Sequence, residues 1–144
     1  MIRLRSSEPD DAAELLQVWR NAVDSSHEFL TPEDRVAIDP LVAEYVGSAE
    51  LLIATRDDRP VAFMGVTGRN IDSLFIDPSA QGIGIGRLLT DTVGELATVD
   101  VNEQNGPGVA FYRRLGFEVV GRSETDGDGR PYPLLHMRRV KCPR

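Results

Sequence analysis

Residues 74–89 read Leu74-Phe75-Ile76-Asp77-Pro78-Ser79-Ala80-Gln81-Gly82-Ile83-Gly84-Ile85-Gly86-Arg87-Leu88-Leu89. An apolar run stops at Asp77-Pro78, glycines occupy 82, 84 and 86, and a helical apolar pattern starts at Ile85 and continues through Leu88 and Leu89. This is a strand joined to a helix by a glycine-rich loop. The first N–H groups of a helix have no partner one turn back, and the aligned peptide dipoles add positive potential there. Glycines let the main chain approach an anion without an intervening β-carbon, and Arg87 adds charge. The stretch therefore predicts a phosphate-binding loop. The other reading is a tight strand–helix connection that binds nothing.

The glycine spacing excludes two phosphate motifs. A P-loop needs Lys-Ser/Thr after its last glycine, and Gly86 is followed by Arg87-Leu88. A dinucleotide fingerprint begun at Gly84 needs a small residue at Leu89, and one begun at Gly82 needs one at Arg87. What precedes the loop also differs from a parallel βαβ unit. Leu51–Ala54, Val61–Thr67 and Ile71–Ile76 are strand patterns with short links, the first link being the turn Asp57-Asp58-Arg59-Pro60. Short links imply antiparallel neighbours.

Further out, Ile2–Arg5 alternates as a strand. Ser7 before Glu8-Pro9-Asp10-Asp11 is a helix-start signal, and Leu15, Leu16, Trp19, Ala22 and Val23 share one face of a helix over 9–24. Trp19 on that face reads as core. Thr31-Pro32-Glu33-Asp34 starts another helical segment, which Pro40 is expected to split into two short helices near Asp39. After the glycine loop, Val93 and Leu96 extend the helical pattern. A strand at 98–102 follows, with Asp100 in its middle marking it as short or bulged. A helix over 107–115 ends at Gly116, and strands at 117–123 and 134–140 flank the turn Asp126-Gly127-Asp128-Gly129. The order predicts an α+β fold: one mixed, mostly antiparallel sheet of about seven strands flanked by four helices, forming a single domain over 1–144.

Composition narrows the class. The chain has 144 residues, with 16 Lys and Arg against 23 Asp and Glu, a net charge of −7. That balance opposes a nucleic-acid binder, which needs a clustered positive field, and suits a cationic substrate. No apolar run is long enough to cross a bilayer, and the start of the chain lacks the apolar stretch of a secretory signal. A cytoplasmic protein without membrane or nucleic-acid partners is expected. One cysteine, Cys142, and two histidines leave no disulfide framework and no closed zinc site.

The pattern that does fit is Gln81-x-x-Gly84-x-Gly86. Together with Asn102-Glu103-Gln104-Asn105 and Phe111-Tyr112-Arg113-Arg114-Leu115-Gly116-Phe117, it resembles the GCN5-related N-acetyltransferase family. Ser26-His27-Glu28-Phe29-Leu30 and Arg130-Pro131-Tyr132-Pro133-Leu134-Leu135 are similar to a small bacterial subgroup of it. The resemblance covers nearly the whole chain and implies direct acetyl transfer from acetyl-CoA, as co-substrate, to a primary amine on a small molecule or peptide. It implies main-chain donors to the pyrophosphate from Gly82, Ile83, Gly84, Ile85, Gly86 and Arg87 after Gln81. Strand pairing of the pantetheine arm with Leu74, Phe75 and Ile76 is implied too, with an N–H near Phe75 or Ile76 facing the thioester oxygen. Asn105 is implied as a cofactor contact and Tyr112 as the general acid toward the departing thiolate. Taken without the family, Tyr112 is an amphipathic helix residue with its hydroxyl in water.

The proton acceptor is read from residue type and position. His27 follows the first helix, where the family builds its acceptor site, and it serves either as base or as a helix-end histidine. Glu103 is the alternative base, and His136 reads as a strand residue. His27, Phe29 and Tyr132 are the candidate acceptor contacts. A module that senses acetyl-CoA without turnover is the alternative function. The family often pairs through its C-terminal strands, so monomer and homodimer both stay open.

Overall fold

The structure, a computed structural model, describes residues 1–26 and 30–140, and of Ser26 the backbone only. In chain order the elements are β1 (Ile2–Ser6), a 3-10 turn (Pro9–Asp11), α1 (Ala12–Ser26), α2 (Pro32–Ser48), β2 (Leu52–Arg56), β3 (Arg59–Thr67) and β4 (Asn70–Ile76). A second 3-10 turn (Pro78–Ala80), α3 (Ile85–Asp91), β5 (Thr98–Asn102), α4 (Gly106–Arg114), β6 (Phe117–Ser123) and β7 (Leu134–Arg139) complete them. The strands form one seven-stranded sheet in the order β1-β2-β3-β4-β5-β7-β6. β4 and β5 run parallel, while β1 with β2, β2 with β3, β5 with β7 and β6 with β7 are antiparallel. The expected architecture is present.

The chain falls into two compact units. The first holds Met1–Gly65 and Ser73–Thr90, the second Val66–Asp72 and the chain from Asp91 onward.

In the first unit the core is Leu15, Val18, Trp19, Val23, Val46, Leu51, Ile53 and Phe63. Trp19 is therefore core, with the Arg35 guanidinium 4.7 Å over its ring. Ser7 does not cap the first helical turn. Its hydroxyl accepts the Leu51 N–H at 3.0 Å, and Glu8 forms a capping box with Asp11 instead. Pro40 does not split α2. The bond it removes would end on the carbonyl of Val36, which lies on an exposed turn where water can substitute. Arg35 and Asp39 meanwhile clamp that same turn at 3.0 Å.

The turn between β2 and β3 is tighter than expected. Asp57 and Asp58 sit at φ 53° and 64°, as a two-residue hairpin requires, so Arg59 and Pro60 already belong to β3. Pro60 cannot donate to the ladder, and the register slips beside it: Ala54 faces Ala62 and Thr55 faces Pro60. The extra residue is Val61, whose carbonyl accepts the Asp77 N–H at 2.8 Å. This bulge fixes where the glycine-rich loop begins.

In the second unit, β5, β7 and β6 carry Val99, Val101, Met137 and Phe117 on a buried face, against Tyr112 of α4 and Leu115 just past its end. Asp100 neither shortens nor bulges β5. The strand pairs with β7 in unbroken register, and Asp100 points to the opposite, open face. The helix after the loop is shorter than the pattern suggests. α3 ends at Asp91, because Gly94 and Leu96 take φ 86° and 64°, which a right-handed helix excludes.

Candidate active site

The first unit holds the glycine-rich loop. Asp77 opens it: one oxygen accepts the Ser79 N–H at 3.0 Å and the other the Asn21 side-chain amide at 2.8 Å. Burial alone would raise its pKa, but these two bonds outweigh it and hold the carboxyl below its ordinary value. Asp77 thus ties the loop to α1 as a charged group. Gln81, Gly82, Ile83 and Gly84 are exposed, while Ile85 and Gly86 are buried at the helix start.

Gly82 and Gly84 sit at φ 79° and 88°, the left-handed region. A β-carbon at either would meet nothing within 4 Å. Glycine is needed here for conformation and for an open approach, and not because a neighbour crowds it. The first helical bond runs from Leu88 N–H to Gly84 C=O at 3.0 Å, so the amides of Ile85, Gly86 and Arg87 have no acceptor one turn back. The cradle suits an anionic group.

Upstream, Leu74, Phe75 and Ile76 are each partly exposed. Phe75 turns inward, its ring 5.6 Å from Phe63. The Ser73 hydroxyl accepts the Gly65 N–H at 3.1 Å and pairs with the Tyr45 hydroxyl at 2.8 Å. These contacts pin the end of β4.

The second unit holds Asn105, Tyr112, Glu103 and Tyr132. Asn105 caps α4, its side-chain oxygen accepting the Gly108 N–H at 3.1 Å. The cap uses only the oxygen, so the amide N–H groups remain as donors. Tyr112 lies one face down α4, edge-on to Phe111 at 5.0 Å and to Phe117 at 5.3 Å. Its residue surface is 8% exposed, and burial pushes the phenol well above its usual range. Its hydroxyl has no hydrogen-bond partner among the described residues, so it is a neutral donor at any ordinary pH.

Glu103 is brought to the Pro131–Pro133 turn, its N–H bonding the Pro133 carbonyl at 2.8 Å. Its carboxylate is gripped by Arg122 at 2.7 and 3.2 Å. That contact holds it below the ordinary glutamate range, which weakens it as a base. Tyr132 is buried, with its N–H on the Arg130 carbonyl at 2.8 Å. His27 and Phe29 lie outside the described residues, as does Cys142.

One cluster on the open face of the second unit went unread in the sequence. His136 on β7 places Nδ1 2.5 Å from an oxygen of Asp100 on β5 and Nε2 2.6 Å from the Ser123 hydroxyl on β6. The only sequence signal was a charged residue between two valines in β5. Among the described residues, no group of His, Cys, Asp and Glu is arranged to hold a metal ion, and no helix is long and apolar enough to cross a membrane.

Comparison with known proteins bears on both units. The family model described as "Acetyltransferase (GNAT) domain" matches residues 22–139. The chain is 44% identical over 141 residues to the peptidyl-lysine N-acetyltransferase YjaB of Salmonella typhimurium, covering 95% of this chain and 97% of that one. It superposes on the solution structure of apo YjaB from Escherichia coli with a TM-score of 0.93 at 40% identity, over 99% of each chain. The PaiA N-acetyltransferase of Thermoplasma acidophilum, solved with coenzyme A, shares the fold at 18% identity, with a TM-score of 0.72 over 98% of this chain and 99% of that one.

Proposed function

The chain belongs to the GNAT acetyltransferase family and is an N-acetyltransferase; from that premise we propose that it takes acetyl-CoA as co-substrate and lysine side chains of proteins as acceptors. One observation carries the cofactor reading. The exposed loop with left-handed Gly82 and Gly84 runs into the unpaired amides of Ile85, Gly86 and Arg87. A diphosphate is the anion that such a row of donors suits. We read residues 1–144 as one transferase domain.

Bound acetyl-CoA supplies an activated acyl group as a thioester. Leu74 to Ile76 present main-chain groups that pair with the amides of the pantetheine arm. The N–H of Phe75 or Ile76 faces the carbonyl oxygen as it gains charge. The protonated Tyr112 phenol donates to the sulfur as it leaves, and the Asn105 amide donates to the cofactor. Tyr132 lies beside the acceptor.

The lysine assignment rests on the relatives' own substrate and on a chain charged −7 at neutral pH, which favours a cationic acceptor over an acidic one. Cytoplasmic proteins are the expected targets. The test pairs acetyl-CoA titration with thiol release on two peptides, one with a lysine and a blocked N-terminus, the other with a free N-terminus and no lysine. Release with the lysine peptide and an acetyl mass gain on it are expected. Tight cofactor binding without amine-dependent release overturns the enzyme reading in favour of a sensor. Release only with the free N-terminus overturns the lysine assignment.

A further inference from the structure

We propose that Tyr45 and Ser73 are positioning residues for acetyl transfer: their hydroxyls, bonded to each other and to the main chain of Gly65, set the end of β4 so that its N–H meets the thioester oxygen. The assignment rests on the transferase reading above, and all three residues belong to the first unit. The parallel pairing of β4 with β5 runs through Asn70 and Ile71 and, among the described residues, stops there. A strand that leaves its neighbour gives up the main-chain bonds that held it on that side. Two residues further on, side chains take over that task.

Ser73 Oγ accepts the Gly65 N–H at 3.1 Å and lies 2.8 Å from the Tyr45 hydroxyl. Gly65 is buried on β3, so its N–H has to find an acceptor inside the protein, and here a hydroxyl supplies it. One serine oxygen thus joins β3, β4 and α2. The three residues are fitted to one another. A β-carbon at Gly65 would overlap the Tyr45 hydroxyl and come within 2.9 Å of Ser73 Oγ and 3.0 Å of Leu51 Cδ2. Gly65 has no positive φ, so glycine serves here to make room: a residue without a side chain lets the phenol reach the serine. The Tyr45 ring packs against the core of the first unit, which makes it a fixed strut.

The link to the chemistry is short. Side chains alternate along a strand, so Ser73 and Phe75 leave β4 on the same face. They are about 7 Å apart along it, and a slip at Ser73 is passed on to the N–H groups of Phe75 and Ile76. Phe75 is held there by the Phe63 ring, 5.6 Å between centres. That apolar contact is non-directional and lets the strand slide, whereas hydrogen bonds weaken steeply with angle and so fix it along its length. An oxyanion donor works only within about 2.7–3.1 Å of the oxygen, and a misplacement of about 1 Å can cost roughly 100-fold in rate.

The experiment measures kcat and KM for a lysine peptide, acetyl-CoA affinity and urea unfolding in wild type, Tyr45→Phe, Ser73→Ala and the double variant, with rates taken per folded molecule. Each single variant should lower kcat about 10- to 100-fold. Acetyl-CoA affinity and the peptide KM should stay within about threefold of wild type, because the loop past Gln81 grips the cofactor independently. The double variant should be about as slow as the slower single one, since either change breaks the same support. Should Ser73→Ala fail to fold, Tyr45→Phe carries the test: it removes one oxygen and leaves the Gly65 N–H paired. A kcat within about threefold of wild type in the folded single variants makes the contact structural alone and overturns the proposal. So does a loss confined to the peptide KM, which would make the hydroxyls acceptor contacts, or one confined to acetyl-CoA affinity. Losses that multiply in the double variant overturn the shared support. In each of these cases an active wild type leaves the transferase reading standing. A wild type that binds acetyl-CoA yet releases no thiol with any amine removes that reading, and this one with it.

Discussion

Replacing Tyr112 by phenylalanine separates chemistry from packing. The ring touches Phe111 and Phe117 edge-on, and both contacts survive in Tyr112→Phe. The hydroxyl lacks a partner among the described residues, so its loss leaves no buried group unpaired, and stability should move by less than about 0.5 kcal/mol. The effect on turnover should be far larger. A neutral donor to a developing thiolate is a hydrogen bond to a charged group, worth about 1.5–3 kcal/mol, or roughly 10- to 150-fold in rate. If the proton is transferred outright, the loss extends to about 10⁴-fold. The assay is thiol release at saturating acetyl-CoA, beside cofactor titration and urea unfolding. The structure also fixes the pH signature. Burial holds the phenol protonated well above its ordinary value of about 10, so the wild-type profile should show no alkaline limb from Tyr112 below pH 10. A kcat within about twofold of wild type, with cofactor affinity and stability retained, would refute the role. So would an alkaline limb near pH 9 that the substitution abolishes.

Two further outcomes test other parts of the molecule. Gly84→Ala should cost about 1–2 kcal/mol in urea unfolding because its φ of 88° is left-handed, although no atom lies within 4 Å of the added carbon; it should also raise KM for acetyl-CoA. Gly47→Ala in α2, equally uncrowded but without a positive φ, should stabilise slightly, and equal effects at both positions would remove the conformational argument. Asp39 is held at a pKa of about 2, first by its bond to Arg20 and then by Arg35. A carboxyl whose folded pKa lies below the unfolded one stabilises the fold above about pH 4 and loses that contribution as pH falls through 2. Asp39→Asn should therefore cost about 1–2 kcal/mol at pH 7, after allowance for solvent screening, and almost nothing below pH 2; a difference that does not vary with pH would contradict this.

The parts of the fold that the sequence foretold are those fixed by local chemistry. The strands expected at 98–102 and 117–123 match to the residue, and Gly116 at φ 91° ends its helix where a left-handed cap was expected. Three of the errors arose where distant contacts or backbone strain override a local pattern. Val93 and Leu96 keep helical spacing, yet left-handed Gly94 and Leu96 turn the chain away. Pro40 breaks helices in isolation, but Arg20 and Arg35 converge on Asp39 and hold α2 across it. Ser7 looked like a cap, and a strand 44 residues away claims its hydroxyl. The open, left-handed turn into α3 was legible because Gln81 to Arg87 is contiguous. The protonation state of Tyr112 was not, since it depends on how deeply α4 is buried.

The Ser123–His136–Asp100 cluster shows why spacing alone cannot find contacts made across strands. Its members are 13 and 36 residues apart, and whether they share a face depends on a single irregularity. Before the slip, Val119 faces Met137; after it, Gly121 faces His136 and Ser123 faces Leu134. Had the register run on unbroken, Val120 would oppose His136 and Arg122 would oppose Leu134. Because side chains alternate, that shift would turn Val120 and Arg122 to the face of His136 and send Ser123 to the other side. The bulge instead leaves Val120 as the unpaired residue and presents a glycine beneath the ring and a hydroxyl beside it. It also frees Arg122 to reach Glu103. One extra residue in β6 thus brings Ser123 to His136 and Arg122 to Glu103. Deleting Val120 should therefore break the Ser123–His136 hydrogen bond, seen as a changed ring environment of His136 by NMR, even where the three strands still pair.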